Sequence, residues 1–292
     1  MKDHDTLQRF IFDGTDIRGE IVTLADSYRD ILAHASYPEP VSQLLGEFLA
    51  AASLLGATLK HRGIITVQAR GNGALSAMMA ECTYDNHVRG IARGNFEEIG
   101  ENTGLQQLLG GATLAITIDP EKGERYQGIV PLEADTLSQC LEHYFSQSEQ
   151  LPTKISLSAG HNSASGILIQ KLPDSTSEIT TIKKDDDWQH IAMLLETLTP
   201  EEQLTLSHND QLYRLFHQEK VRLFNAEGVS FACSCSRQRT EKALLALGNS
   251  EISKLSQEQG LIIMNCQFCH QEYRFTEQQV NDLLSSQNPN IH

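Results

Sequence analysis

Four of the chain's six cysteines fall in two close pairs, Cys233-Ser-Cys235 and Cys266-Gln-Phe-Cys269, separated by residues 236–265. Each pair can present two sulfurs to one point, and four thiolates around Zn²⁺ make the closed tetrahedral site typical of structural zinc. The spacing therefore predicts a small C-terminal module folded around a metal held by Cys233, Cys235, Cys266 and Cys269. Other chemistries account for less of the pattern. Cys266-Gln-Phe-Cys269-His270 also matches a c-type haem attachment motif, but that reading leaves Cys233 and Cys235 without a role. His270 is expected to face solvent beside the site. A catalytic zinc keeps one position open for water, and four cysteines leave none. The zinc deaminase signature fails because Asn265 precedes Cys266 where that motif has proline, and no H-x-E lies upstream.

Charge narrows the class of partner. The 23 basic and 38 acidic residues give a net charge of -15, and no region of the chain is basic. Nucleic-acid binding relies on clustered cations that displace counterions from phosphates, so DNA and RNA are not expected partners. The N-terminal stretch MKDHDTLQRF lacks the basic start and apolar run of an export signal, so no export is expected. The apolar stretch from Phe48 to Leu59 is shorter than the roughly 20 residues a bilayer span needs, and reads as a buried helix. Cys82 and Cys140, outside the pairs, are expected to be packed rather than reactive.

Periodicity predicts an α+β fold: a hairpin-rich N-terminal domain over residues 1–178, a helical connecting segment over 179–231, and the zinc-binding module over 232–292. Val41, Leu44, Leu45, Phe48, Leu49, Ala52 and Leu55 repeat at helical spacing, with Gly63 as the expected stop. Two strands joined at Asn72-Gly73 follow, a dipeptide that tolerates the positive φ of tight turns. Further strands are expected at HVRGIAR, ATLAITID, RYQGIVPL and SGILIQKLP, and a helix at EADTLSQCLEHYFSQSEQ. After Pro173 the composition turns polar, and KKDDD reads as a solvated linker. Amphipathic pieces follow around Ile191 to Leu198 and Leu212 to Val221, with Pro200 starting another helix. Helices this short are marginal alone and must dock on something. The RGNG and LLGGA motifs lack the register of a phosphate cradle and read as turns.

Two readings of the cysteine module remain, an inert ribbon and a redox switch, with a thiol-disulfide oxidoreductase as a minor third. Three features favour the switch. A module of about 60 residues is near the limit for folding alone, so metal would supply much of its folding free energy. Zinc holds cysteines as thiolates, the form oxidants attack, and close pairs let one sulfur resolve its neighbour's sulfenic acid. If the marginal helices dock partly on the module, melting it would release them and expose apolar surface.

The sequence resembles the redox-regulated heat-shock protein 33 (33 kDa chaperonin) family along nearly its whole length. The likeness runs through RGEIVTL, GERYQGIVPLEADTLSQCLEHYFSQSEQLPT, LYRLFHQEKVR, FACSCSR and CQFCHQEYRF. It implies a non-enzymatic, cytoplasmic, ATP-independent holdase of the oxidative stress response, which keeps unfolded clients from aggregating and competent for refolding. The resemblance also implies one Zn²⁺ per chain in the reduced, inactive state. On oxidation Cys233 would pair with Cys235 and Cys266 with Cys269, zinc would leave, the C-terminal region would unfold, and the active form would be a homodimer.

Overall fold

The computed structural model describes residues 3–97, 99–101, 103–173 and 178–286. Its contacts divide the chain into two compact units, Met1–Ala232 and Cys233–His292.

The first unit opens with β1 (Thr6–Phe12), β2 (Ile17–Leu24), α1 (Asp26–Leu32) and α2 (Glu39–Gly56). Then come β3 (Gly63–Arg70), β4 (Leu75–Thr83), β5 (His87–Gly94), α3 (Leu105–Leu109), β6 (Ala112–Pro120) and β7 (Tyr126–Leu132). α4 (Leu137–Tyr144), β8 (Thr153–Ala159), β9 (Ala164–Lys171), α5 (Glu178–Leu195), α6 (Pro200–Thr205) and α7 (His208–Phe216) follow, and β10 (Val221–Leu223), β11 (Glu227–Gly228) and β12 (Ser230–Phe231) complete it.

These strands form two sheets, one in the order β10-β1-β2-β9-β8 with β11 also on β1, the other β12-β5-β4-β3-β6-β7. α2 packs against strands of both. Its apolar residues surround it, as burial on all sides requires. Gly46 lets it approach closely, since a Cβ there would lie 2.7 Å from the Cβ of Ala159. The Phe48 to Leu59 stretch is thus largely the buried helix its composition suggested. The helix ends earlier than expected, at Gly56, where the N–H groups of Ala57, Thr58 and Leu59 turn back onto carbonyls of residues 53, 55 and 56. Gly63 instead opens β3.

The strands expected at residues 87–93, 112–119, 125–132 and 165–173 correspond to β5, β6, β7 and β9. The β3–β4 hairpin is present, but neither Asn72 nor Gly73 has a positive φ. Gly73 serves close approach: a Cβ there would stand 2.6 Å from the carbonyl oxygen of Leu108, while Asn72 Oδ1 accepts from Gly111 N at 2.9 Å. RGNG and LLGGA therefore pack against each other. The helix expected from residue 133 begins at Leu137 and gives way at Phe145 to a π-helical turn through Glu149. Thr136 is its cap, and Leu137, Cys140, Leu141, Tyr144 and Phe145 share its buried face.

Strand alternation gives the first sheet two apolar faces. Leu7, Val22, Leu24 and Leu168 join the central core, whereas Phe10, Phe12, Ile17, Ile21, Ile167 and Ile169 point away from it. That second face is covered by Ile191, Leu195, Leu198, Leu212, Leu215 and Phe216 from the helices of the connecting segment. The docking partner those helices need is therefore this sheet. Polar bonds reinforce the cover: His208 is fully buried, with Nδ1 2.8 Å from Gln8 Oε1 and Nε2 3.0 Å from Thr23 Oγ1. Gln203 Oε1 accepts from the hydroxyls of Ser156 and Ser158, both at 2.9 Å. Lys183–Asp187 lies inside α5 rather than in a linker. Pro200 opens α6 as expected, and Val221 belongs to β10 rather than to a helix. Asp174–Ser177, beside the expected domain boundary, lie outside the described residues.

The second unit contains α8 (Arg237–Leu245), α9 (Asn249–Gln259), β13 (Leu261–Asn265), β14 (Glu272–Thr276) and α10 (Glu277–Ser286). β13 and β14 pair antiparallel, Leu261 opposite Thr276 through Asn265 opposite Glu272. Its core is Leu244, Ile252, Ile262, Phe275 and Val280, with Tyr273 partly buried against them. Residues 287–292 lie outside the described residues.

Candidate metal centre

Each cysteine pair is held by its own local structure. β12 ends at Phe231, and Ala232 N still donates to Val88 O at 3.2 Å, so the chain is anchored up to the residue before Cys233. Arg239, in the first turn of α8, donates from Nη1 to the carbonyl of Ser234 at 3.0 Å and to its hydroxyl at 2.6 Å. Ser236 caps the same helix by accepting from Arg239 N at 3.2 Å. One arginine thus ties the Cys233–Cys235 loop to the helix that follows it.

Cys266 and Cys269 occupy the turn between β13 and β14. Cys266 N donates to Gln271 O, and His270 N donates to Cys266 O, both at 2.9 Å. His270 has a φ of 55°, the left-handed conformation that closes the turn, and its side chain is exposed. The turn backbone brings both sulfurs to one side.

The structure gathers all four expected ligands: the Sγ atoms of Cys233, Cys235, Cys266 and Cys269 lie within 4.8 Å of one another. Cys233 and Cys266 are 3.6 Å apart, Cys235 and Cys269 3.5 Å. A tetrahedron with arms of about 2.3 Å has edges of about 3.8 Å, so the cluster fits a divalent ion bound by four sulfurs. A disulfide, at about 2.05 Å, is far shorter, and none of the four cysteines is in one. Burial pushes the Cys269 thiol up to about 12, against the opposing N–H of Gln271, and burial also raises Cys235. A dication at the cluster inverts that balance by favouring thiolates.

Two supporting contacts escaped sequence reasoning. Tyr273, partly buried against the module's core, donates its hydroxyl to Cys235 Sγ at 3.1 Å, a bond that pushes the phenol up to about 12. Arg237 lies over the Phe275 ring, 4.5 Å from its centroid, and bonds the Arg274 carbonyl and Gln279 Oε1, both at 3.0 Å. The only sequence signal for either was proximity to a cysteine pair. Cys82 and Cys140 are buried in the first unit, and burial pushes Cys82 up to about 12, as suits packed, unreactive thiols. Among the described residues, no helix is long and apolar enough to cross a membrane.

Comparison with known proteins agrees with this geometry. The family model described as Hsp33 protein matches residues 5–276. The 33 kDa chaperonin of Pseudomonas aeruginosa (strain UCBPP-PA14) is 48% identical over 286 residues, covering 98% of this chain and 96% of that protein. That of Azotobacter vinelandii is 46% identical over 289 residues, covering 98% and 96%. The crystal structure of the Thermotoga maritima 33 kDa chaperonin has the same fold, with a TM-score of 0.81 at 23% identity over 97% of this chain and 99% of that one. A near-complete match in sequence and fold, joined to the four-sulfur cluster, means that the chain belongs to the Hsp33 family of redox-regulated chaperones.

Proposed function

We propose that this chaperone is an ATP-independent cytoplasmic holdase whose off state is held by one Zn²⁺ on Cys233, Cys235, Cys266 and Cys269. The observation that carries the reading is the convergence of four sulfurs in a module with only five buried apolar side chains in its described core. Bound zinc would hold the sulfurs as thiolates and cross-link the two ends of the module. Following the family resemblance, oxidation joins Cys233 to Cys235 and Cys266 to Cys269. Each thiolate pair would give two electrons to a peroxide, which takes up two protons from solvent and leaves as two waters. The donor set is then gone, and the small core does not hold the module by itself.

The three-part division of the chain, 1–178, 179–231 and 232–292, describes how it comes apart. The connecting helices cover an apolar sheet face with a mixture of apolar and polar contacts. Loss of the module's order at Cys233 frees the chain directly after its β12 anchor and favours release of the segment. The uncovered face and the apolar stripes of the helices supply surface for unfolded clients and for a second copy of the chain. The test is aggregation of a heat-denatured client with reduced and with peroxide-treated protein, zinc release being followed in the same samples. Suppression that rises with zinc release supports the switch; equal suppression in both states, or zinc retained through oxidation, removes it.

A further inference from the structure

Past the end of α2, a cleft of about 340 Å³ is lined by Arg9, Arg18, Glu20, Lys60, Leu59 and Phe224, among others. Its charge runs against that of the chain, with three cations and one carboxyl in a protein of net charge -15. Two of its polar groups are left open. Glu20 is 2% exposed, and neither its Oε2 nor the buried Nε of Arg18 has a hydrogen-bond partner among the described residues. The nearest approach between them, Arg18 Nε to Glu20 Oε1, is 4.0 Å, too long for a direct bond. Buried acceptors and donors are ordinarily paired, and this pair sits in a space of small-molecule size.

The other charges facing the cleft are accounted for. Arg9 pairs with Glu227 at 3.5 Å, and Arg18 Nη2 donates to Gln170 at 2.9 Å. Lys60 is exposed and forms no ion pair among the described residues. At the end of α2 the carbonyls of Ser53, Leu55 and Gly56 already accept from the turn that follows. One open acceptor, one open buried donor and one free cation describe a ligand with an N–H group beside a carboxylate. Leu59 and Phe224 add apolar wall.

We propose that this cleft binds a carboxylate with an adjacent N–H donor, the chemistry shared by a peptide's free C-terminus and an N-acylated amino acid. The carboxylate goes to Lys60 and Arg18, the N–H to Glu20, and an apolar side chain to Leu59 and Phe224. Burial pushes Glu20 up to about 7 despite Arg18 and Arg9, a measure of how far this carboxyl lacks solvation. Phe224 belongs to the connecting segment: its N–H donates to Arg9 O at 2.9 Å, and its carbonyl accepts from Gln8 Nε2 at 3.1 Å. A ligand under Phe224 therefore favours the docked segment and opposes its release, by the reciprocity of linked equilibria. This second effect rests on the switch proposed above; binding itself does not.

The experiment titrates N-acetyl-leucine, its carboxamide, and an octapeptide ending in leucine as free acid or amide into reduced, zinc-loaded full-length protein, followed by calorimetry. The free acids should bind about tenfold or more tightly than the amides, the value of one charge-assisted contact. Exposed Lys60→Ala should reduce that preference severalfold, Arg18 remaining, and Glu20→Gln should weaken both acids severalfold. Tighter binding of the peptide than of N-acetyl-leucine assigns the site to chain termini, and equal binding assigns it to small acids. Equal affinity for acid and amide, no binding at millimolar probe, or an unaltered preference in Lys60→Ala overturns the site. Proteolysis within residues 178–231 after peroxide should slow with bound acid. Unchanged proteolysis despite binding overturns the coupling alone, and a protein that oxidation fails to activate overturns the switch while leaving the binding result intact.

Discussion

The two units solve the same problem with different means. In the first, 42 buried apolar residues among those described form one core around α2, with both sheets wrapped upon it. In the second, five form the core, and four sulfurs meet where the chain enters the module and where its hairpin turns. A unit held by many contacts loses them one at a time. A unit held by a few contacts and one cluster of ligands loses its order when a ligand goes, and under the proposed switch this difference suits the second unit to sensing and the first to support. The connecting helices are intermediate: they share a smaller core of 12 residues with one sheet face, reinforced by buried hydrogen bonds.

Removing a ligand breaks this comparison most strongly. Cys266→Ser should abolish stoichiometric zinc binding, forfeiting an apparent contribution of roughly 10–16 kcal/mol, and unfold residues 233–286 while the first unit keeps its native amide protection. Zinc quantification with hydrogen exchange reads both effects. Matched truncations come next. Phe275→Ala and Phe48→Ala each remove a fully buried ring at a cost of about 3–5 kcal/mol, but the first should melt its module and the second should leave its unit folded with a lower midpoint in denaturant. Phe216→Ala, at the contact between α7 and the sheet, should weaken docking by a similar amount and give partial client protection without oxidant.

Acid offers a gentler perturbation of the same contact. Burial pushes His208 down to about 4, with Asp3 opposing. Between about pH 4 and 6.5 His208 is neutral in the docked state and charged in the released one, so docking is at full strength above pH 6.5 and weakens as pH falls towards about 4. Amide protection across residues 200–216 should fall over that window, and His208→Gln should flatten the dependence. Smallest is Tyr273→Phe, which removes the hydroxyl donated to Cys235 and should weaken zinc affinity by about tenfold without unfolding the module, as competition with a chelator will measure.

Sequence reading was most informative where chemistry is local. The cysteine spacing named the cluster, Phe48 to Leu59 named the buried helix, and the stretches at residues 87–93, 112–119, 125–132 and 165–173 were expected as the strands β5, β6, β7 and β9. What it missed depends on contacts distant in sequence. β2 finds β9 about 150 residues away, and the short β10, β11 and β12 are strands only because they pair with β1 and β5. No local period marks a strand of two or three residues. The connecting helices showed their apolar stripe but not its partner, because both sheet faces are apolar and only the fold shows which one α2 leaves free. At the metal centre, Tyr273 and Arg239 were invisible as supports since their roles follow from turn geometry rather than spacing.

The most direct test of the account is limited proteolysis of the zinc-loaded protein, sampled together with zinc release during peroxide treatment. The account predicts that zinc appears in step with first cleavages inside residues 179–292, while residues 3–171 stay intact. Zinc release that leaves those residues resistant, or cleavage starting within the first unit's two sheets, would contradict it.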